Sequence, residues 1–297
     1  MKNEASATAL LIATGVAFQS THPRFGELVP PAAGDLSRRL VAAAAGGRRV
    51  YSGSSVRDRL FVSLQERLFV PGLTLHYVLR KLYIEQLVRD SLEHGFEQLI
   101  VLGAGLDTLG MRLRAITAAN VVEVDHPATQ QFKREIMEKA GVGGEGITYV
   151  PVDFTKQNLT EALVKCDACR PDRWTVFLAE GVFMYLSASE VHDTLRQMRD
   201  YAQRTRVVFT LCAPRYGRAI NFQNATWLAD QWLALRGEPG RWAIEPADLA
   251  AFLQQDNFKL LELARDDEYH RRYVEDPSVP LARGEHIAMA DAEAAGA

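Results

Sequence analysis

Ile100-Val101-Leu102-Gly103-Ala104-Gly105-Leu106-Asp107-Thr108 decides the fold: an apolar run of strand length breaks into two glycines and then an acid. Glycines at such a break let the backbone turn tightly and approach a ligand, as at the carboxyl end of a parallel strand in a nucleotide-type site. A G-x-G is common, so the reading rests on its surroundings. Downstream, Val121-Val122-Glu123-Val124-Asp125 has the same strand character and ends on a carboxylate twenty residues past Gly105. At that spacing an acid can accept both hydroxyls of a bound ribose.

Further out, short apolar runs at 98–102, 120–124, 147–150, 174–179, 206–211, 258–263 and 285–290 alternate with amphipathic segments of helix length. That alternation predicts an α/β, Rossmann-like chain with a seven-stranded, mostly parallel sheet over residues 96–297. Residues 1–95 read as a helical N-terminal cap, from the recurrence of Leu60, Leu64, Leu68, Leu75, Leu79, Leu82 and Leu87, three to four residues apart as on a helix face. Its breaks are Pro30-Pro31, Gly46-Gly47 and Pro71-Gly72. An insertion at 213–245 carries Phe222, Trp227, Trp232 and Trp242. At the carboxyl edge of a sheet it either roofs a pocket or packs as a Trp-anchored helix. The alanine-rich tail, 290–297, is expected to fray.

Composition narrows the function. With 297 residues, 47% of them hydrophobic, a net charge of −3 and a pI near 6.2, the chain has no basic footprint for nucleic acid and points to a small or mildly polar substrate. Three cysteines are too few for a disulfide framework, and Cys166-x-x-Cys169 lacks the second pair a metal site would need. The apolar stretch 7–18 is shorter than the ~20 residues of a membrane span and follows Glu4 rather than a basic cluster. The expectation is a cytoplasmic protein with neither membrane segment nor signal peptide.

The glycine loop and Asp125 suit either a nicotinamide dinucleotide or S-adenosylmethionine. The third glycine of the dinucleotide fingerprint would fall at Thr108, and Asp107 beside it would repel a diphosphate. S-adenosylmethionine carries an ammonium and a sulfonium, so Asp107 and Glu180, just past the fourth strand, become attractive. The electrostatics select the methyl donor. Asp153, after the third strand, is placed to meet an adenine amino group, with Phe154 as a flat neighbour. Alternatively Asp153 caps a helix over 156–164.

The segments VLGAGLDTLGMRL, EVDHPATQQFKREIM, VDF and AEGVFMYLS, in this order, resemble the leucine carboxyl methyltransferase family. That family also includes bacterial natural-product O-methyltransferases such as the tetracenomycin enzyme. The resemblance covers about residues 75–263 and implies a class I methyltransferase fold. It implies that Gly103, Ala104, Gly105, Asp107 and Thr108 surround the methionine moiety of S-adenosylmethionine. Asp125 would take the ribose, Asp153 would lie by the adenine and Glu180 would face the amino-acid end, with His126, Phe154 and Gly181 beside them as further cofactor-binding candidates and His126 also readable as structural. Arg80, in HYVLRKLYIEQLV, matches the family arginine that pairs with the donor carboxylate, a task that suits a guanidinium. The chain departs from the family in having Leu109 where relatives carry Arg, and Glu85 where they often carry Asp.

Methyl transfer to oxygen is an in-line displacement in which alignment and desolvation carry most of the acceleration. A carboxylate acceptor needs no base, whereas a phenol of pKa ~10 gains from one. Tyr77, Arg215 and Tyr216 are the acceptor-side candidates, with His76 and Tyr185 near them, and Arg215 best suits an acidic acceptor. The reading is an O-methyltransferase acting on a carboxylate or phenolic hydroxyl of a small, polyketide-like molecule. The alternatives are a protein C-terminal carboxyl methyltransferase, a non-catalytic donor-binding protein and a nicotinamide oxidoreductase.

Overall fold

The computed structural model describes residues 7–154, 156–236 and 240–293. Seven strands, β1 (Gln98–Leu102), β2 (Asn120–Asp125), β3 (Ile147–Pro151), β4 (Thr175–Ala179), β5 (Arg204–Cys212), β6 (Lys259–Ala264) and β7 (Glu285–Glu293), form one sheet in the order β3-β2-β1-β4-β5-β7-β6. All neighbours are parallel except β7, which runs antiparallel to both β5 and β6. The strand order reverses between β1 and β4, so the crevice for a ligand opens at their carboxyl ends. Both strands are buried along their whole length, which is why their sequences read as unbroken apolar runs.

Among the described residues, eleven α-helices accompany the sheet: α1 (Ala7–Gln19), α2 (Pro31–Ala45), α3 (Val56–Leu68), α4 (Leu73–Glu93), α5 (Leu109–Ile116), α6 (Pro127–Lys139), α7 (Leu159–Val164), α8 (Ala188–Tyr201), α9 (Trp227–Arg236), α10 (Leu249–Gln254) and α11 (Asp266–Tyr273). Side chains alternate across each strand, so the sheet has two cores. Ile100, Leu102 and Phe177 point toward Leu195 and Met198 of α8, whereas Leu99, Val101 and Val176 pack with Leu79 and Ile84 of α4 and Leu113 of α5. Thus α4, although it precedes the first strand, is a layer of the sheet and carries its polar residues to the crevice. Local chemistry fixes the helix starts: Ser187 and Glu190 form a capping box for α8, and Pro31 opens α2.

Three details differ from the sequence expectation, and a fourth divides between its two alternatives. The leucine stripe of α3 exists, but Leu60 and Leu64 are 68% and 57% exposed; Asp58 is the buried residue of that helix. Asp153 caps no helix, because α7 starts later, with the Asn158 side chain accepting from the Glu161 N–H. The tail continues β7 as far as Glu293 instead of fraying at residue 290; residues 294–297 lie outside the described residues, as do 237–239 of the insertion. The tryptophans of that insertion divide: Trp232 lines the main cavity, Trp242 is buried against Phe183 and Phe252, and Trp227 is exposed. No helix among the described residues is long and apolar enough to cross a membrane.

Candidate active site

The loop after β1 turns through Gly103 (φ +60°) and Gly105 (φ +49°), a region where a side chain is strained. A Cβ on Gly103 would meet Val182 Cγ2 at 2.7 Å, and one on Gly105 would lie 3.0 Å from Ala9 Cβ. The first helix, α1, is therefore laid directly over the glycine loop. Asp125, ending β2, ties this loop to the next: its Oδ2 accepts the Gly105 N–H at 2.6 Å and its Oδ1 accepts the His126 N–H at 2.6 Å. Burial raises the Asp125 pKa against the pull of those two amides. Each of its oxygens keeps acceptor capacity for a further hydroxyl. His126 caps α6 by accepting the Ala128 N–H, and its Nε2 is 3.9 Å from Asp153 Oδ2.

At the amino-acid end expected from sequence, Asp107 and Glu180 are joined by a cation. Lys81 Nζ donates to Asp107 Oδ2 at 2.7 Å and to Glu180 Oε2 at 3.1 Å. Burial alone would raise the Asp107 pKa, but Lys81 and the Leu109 N–H hold it well below the usual carboxylate range. Arg80, one residue earlier on α4, donates from Nε to Glu180 Oε1 at 2.9 Å and from Nη1 to both oxygens of Glu285 at 2.9 and 2.8 Å. Its Nη2 lies 2.6 Å from Glu180 Oε1 yet forms no hydrogen bond of acceptable angle, so a buried N–H group retains donor capacity. Glu285 also accepts from His76 Nε2 at 2.7 Å, and His76 Nδ1 is 3.0 Å from His270 Nε2. Against the effect of burial, Arg80 and His76 hold the Glu285 pKa at about 2. Beneath the loop, Lys133 Nζ donates to the Asp107 carbonyl at 2.8 Å and to Glu123 Oε2 at 2.6 Å.

A cavity of about 800 Å³ opens above this lattice, within the ~300–1,000 Å³ of small-molecule sites. Arg80, Gly103, Ala104, Gly105, Asp107, Thr108, Asp125, His126, Asp153, Phe154, Glu180 and Gly181 all line it. So do Lys81 and Glu285, which sequence reasoning did not single out. Lys81 was legible as the neighbour of Arg80 on one helix, but Glu285 lies 205 residues from Arg80, and its cue was only an acid opening an apolar strand.

Of the acceptor-side candidates, Tyr77 alone lines this cavity. It is 4% exposed, its ring lies under the Arg80 guanidinium at 5.0 Å, and burial drives its phenol pKa up. Arg215 is turned inward instead, donating to Asp230 Oδ1 at 2.8 Å and to the carbonyls of Ala219 and Ala225. With three of its five N–H donors committed inside the insertion, this arginine braces that segment and does not line the main cavity. Tyr216 is 85% exposed and donates to Glu245. Both belong to a separate shallow pocket. Tyr185 lines the cavity; His76 lies behind Glu285.

A sequence model of the leucine carboxyl methyltransferases matches residues 9–199. The chain belongs to the leucine carboxyl methyltransferase family. Among its relatives, YktD of Bacillus subtilis (strain 168), whose name assigns it to the S-adenosyl-L-methionine-dependent methyltransferases, is 28% identical over 63% of this chain and 62% of its own. A similarly named protein of Mycobacterium marinum is 29% identical over 60% of this chain and 57% of its own. This leucine carboxyl methyltransferase family member therefore spans about six-tenths of the length of those relatives. A methyltransferase structure from Thermobifida fusca superposes with a TM-score of 0.57 at 18% identity, covering 86% of this chain and 94% of that one. The likeness is one of fold, the Rossmann-like class I arrangement. The family match ends at residue 199, so β5, the insertion and Glu285 lie outside the matched segment.

Proposed function

We propose that the chain is an S-adenosylmethionine-dependent O-methyltransferase whose acceptor is a small molecule bearing a carboxylate or a phenolic hydroxyl. One observation carries the reading: the crevice places Asp107 and Glu180 beside the glycine loop, with Asp125 twenty residues beyond Gly105. Carboxylates so placed attract an ammonium and a sulfonium and repel a diphosphate. The residues present fit the donor. Asp125 has free lone pairs for the ribose, Arg80 Nη2 is a buried donor without a hydrogen bond and suits a carboxylate, and Asp153 with Phe154 suits an adenine edge and face. When bound, the donor supplies an electrophilic methyl on a cationic sulfur and a neutral thioether leaving group.

The chain's own residues bind, orient and exclude water. Asp107, Glu180 and Glu285 are fixed by Lys81, Arg80 and His76, so their charges need no rearrangement when a cation arrives, the basis of preorganised electrostatic catalysis. Residues of α1, α3 and the insertion close the other side of the cavity, which favours desolvation of the reacting groups. Membership of a family named for carboxyl methylation supports transfer to oxygen. The test is turnover: isotopically labelled S-adenosylmethionine with a panel of phenols and carboxylic acids should label at least one acceptor. If the protein binds the donor but labels no acceptor, it is a donor-binding protein without this activity.

A further inference from the structure

We infer, on the basis of the donor reading above, that the acceptor is uncharged and flat, and that it presents a hydroxyl rather than a carboxylate to the methyl group. The cavity wall away from the glycine loop is built by Phe69, Val70, Leu73, Met184, Phe222 and Trp232, an apolar surface with aromatic faces for a planar ring system. Charge then selects the nucleophile. Among the described residues, eight carboxylates line the cavity but only four Lys or Arg side chains do, Arg80, Lys81, Arg112 and Arg241. All four are engaged. Arg80 is held by Glu180 and Glu285, Lys81 by Asp107 and Glu180, Arg112 Nη1 donates to Glu85 at 2.5 Å, and Arg241 Nη1 lies 3.1 Å from Glu190.

The spare Arg80 N–H is taken by the carboxylate of the donor itself. An acceptor carboxylate would therefore enter an apolar, net-negative chamber in which every Lys and Arg among the described residues already has a carboxylate partner, an arrangement that disfavours an added anion beyond what the donor's sulfonium offsets. A neutral hydroxyl meets no such penalty. It also finds a partner: the Tyr77 hydroxyl, on a side chain that is 4% exposed and lines the cavity, makes no hydrogen bond to any described residue. Arg215, which from sequence best suited an acidic acceptor, lines a different pocket and donates inward to Asp230 and the Ala225 carbonyl. In the transfer, the sulfur–methyl bond breaks as the oxygen–methyl bond forms, the sulfur leaves with the electron pair as a neutral thioether, and the hydroxyl proton passes to solvent water.

The experiment compares 2-naphthol with 2-naphthoate, one ring frame with two head groups, by calorimetry at pH 7.5 on the full chain, with and without saturating S-adenosylhomocysteine. The naphthol is neutral there and the naphthoate ionised. The inference expects the naphthol to bind at least tenfold more tightly. Equal or tighter binding of the naphthoate overturns it, and so does binding of neither at millimolar concentration, because the chamber would then not accept a flat apolar molecule. Failure of S-adenosylhomocysteine to bind sinks the donor reading instead, and the arm without it still reports on the acceptor.

Discussion

Replacing Arg80 with Met tests the buried charge lattice and the donor site together. The guanidinium is 3% exposed and holds Glu285 through two hydrogen bonds and Glu180 through one. Its loss strands two buried carboxylates, and breaking a buried ion pair typically costs ~3–5 kcal/mol. His76 still donates to Glu285 and Lys81 still donates to Glu180, so the expected cost lies near the low end, about 3 kcal/mol. At about 2–4 °C per kcal/mol for a chain of this size, the melting temperature should fall by roughly 6–12 °C. Loss of the charge-assisted bond proposed from Arg80 Nη2 to the donor carboxylate, worth about 1.5–3 kcal/mol, should weaken S-adenosylhomocysteine binding by roughly 10- to 150-fold. Thermal melting and titration calorimetry read the two effects separately. A variant that melts within about 2 °C of the parent and binds S-adenosylhomocysteine with full affinity would refute the assignment; ~2 °C is what less than 1 kcal/mol would produce.

Three further outcomes follow from the same geometry. Gly103→Ala puts a Cβ 2.7 Å from Val182 Cγ2 at a φ of +60°, and the strain and clash together should cost about 2–4 kcal/mol in urea unfolding; an unchanged midpoint would show that the loop is looser than described. Stability should decline on acidification. The pKa of His270, lowered to about 3 by burial and by His76, makes the unfolded chain take up a proton first as pH falls from 6.5, and Glu285, held at about 2, repeats this below 4.5. Each group contributes a slope of ~1.4 kcal/mol per pH unit within its window, with stability whole above it. Urea midpoints that stay level between pH 7.5 and 4 would contradict this. Tyr77→Phe should leave S-adenosylhomocysteine affinity intact and weaken a hydroxylated acceptor severalfold, measured as KM or by displacement; unchanged acceptor affinity would remove Tyr77 from the site.

Much of the fold was legible because β1 and β4 are buried on both faces and so appear as continuous apolar runs, while the glycine break and Asp125 are local signals at a fixed spacing. The glycine-loop side of the cavity was legible for the same reason, since the residues that line it follow strand ends. The acceptor side was not. Arg215 after β5 has the look of a ligand for an acid, and only the fold of the insertion brings Asp230 and two carbonyls to it. Glu285 was invisible because its partnership with Arg80 joins an N-terminal helix to the last strand. The leucines of α3 have helical spacing but face solvent, since periodicity reports a face and not what covers it.

The central claim is that carboxylates around a glycine loop select a cationic sulfur donor over a dinucleotide. Calorimetry of the parent chain and of Asp125→Ala with S-adenosylmethionine and with NADH tests it most directly. The account predicts saturable binding of S-adenosylmethionine by the parent chain, its loss by at least tenfold in Asp125→Ala, and no binding of NADH. Tighter binding of NADH than of S-adenosylmethionine, or full S-adenosylmethionine affinity without the Asp125 carboxylate, would contradict it.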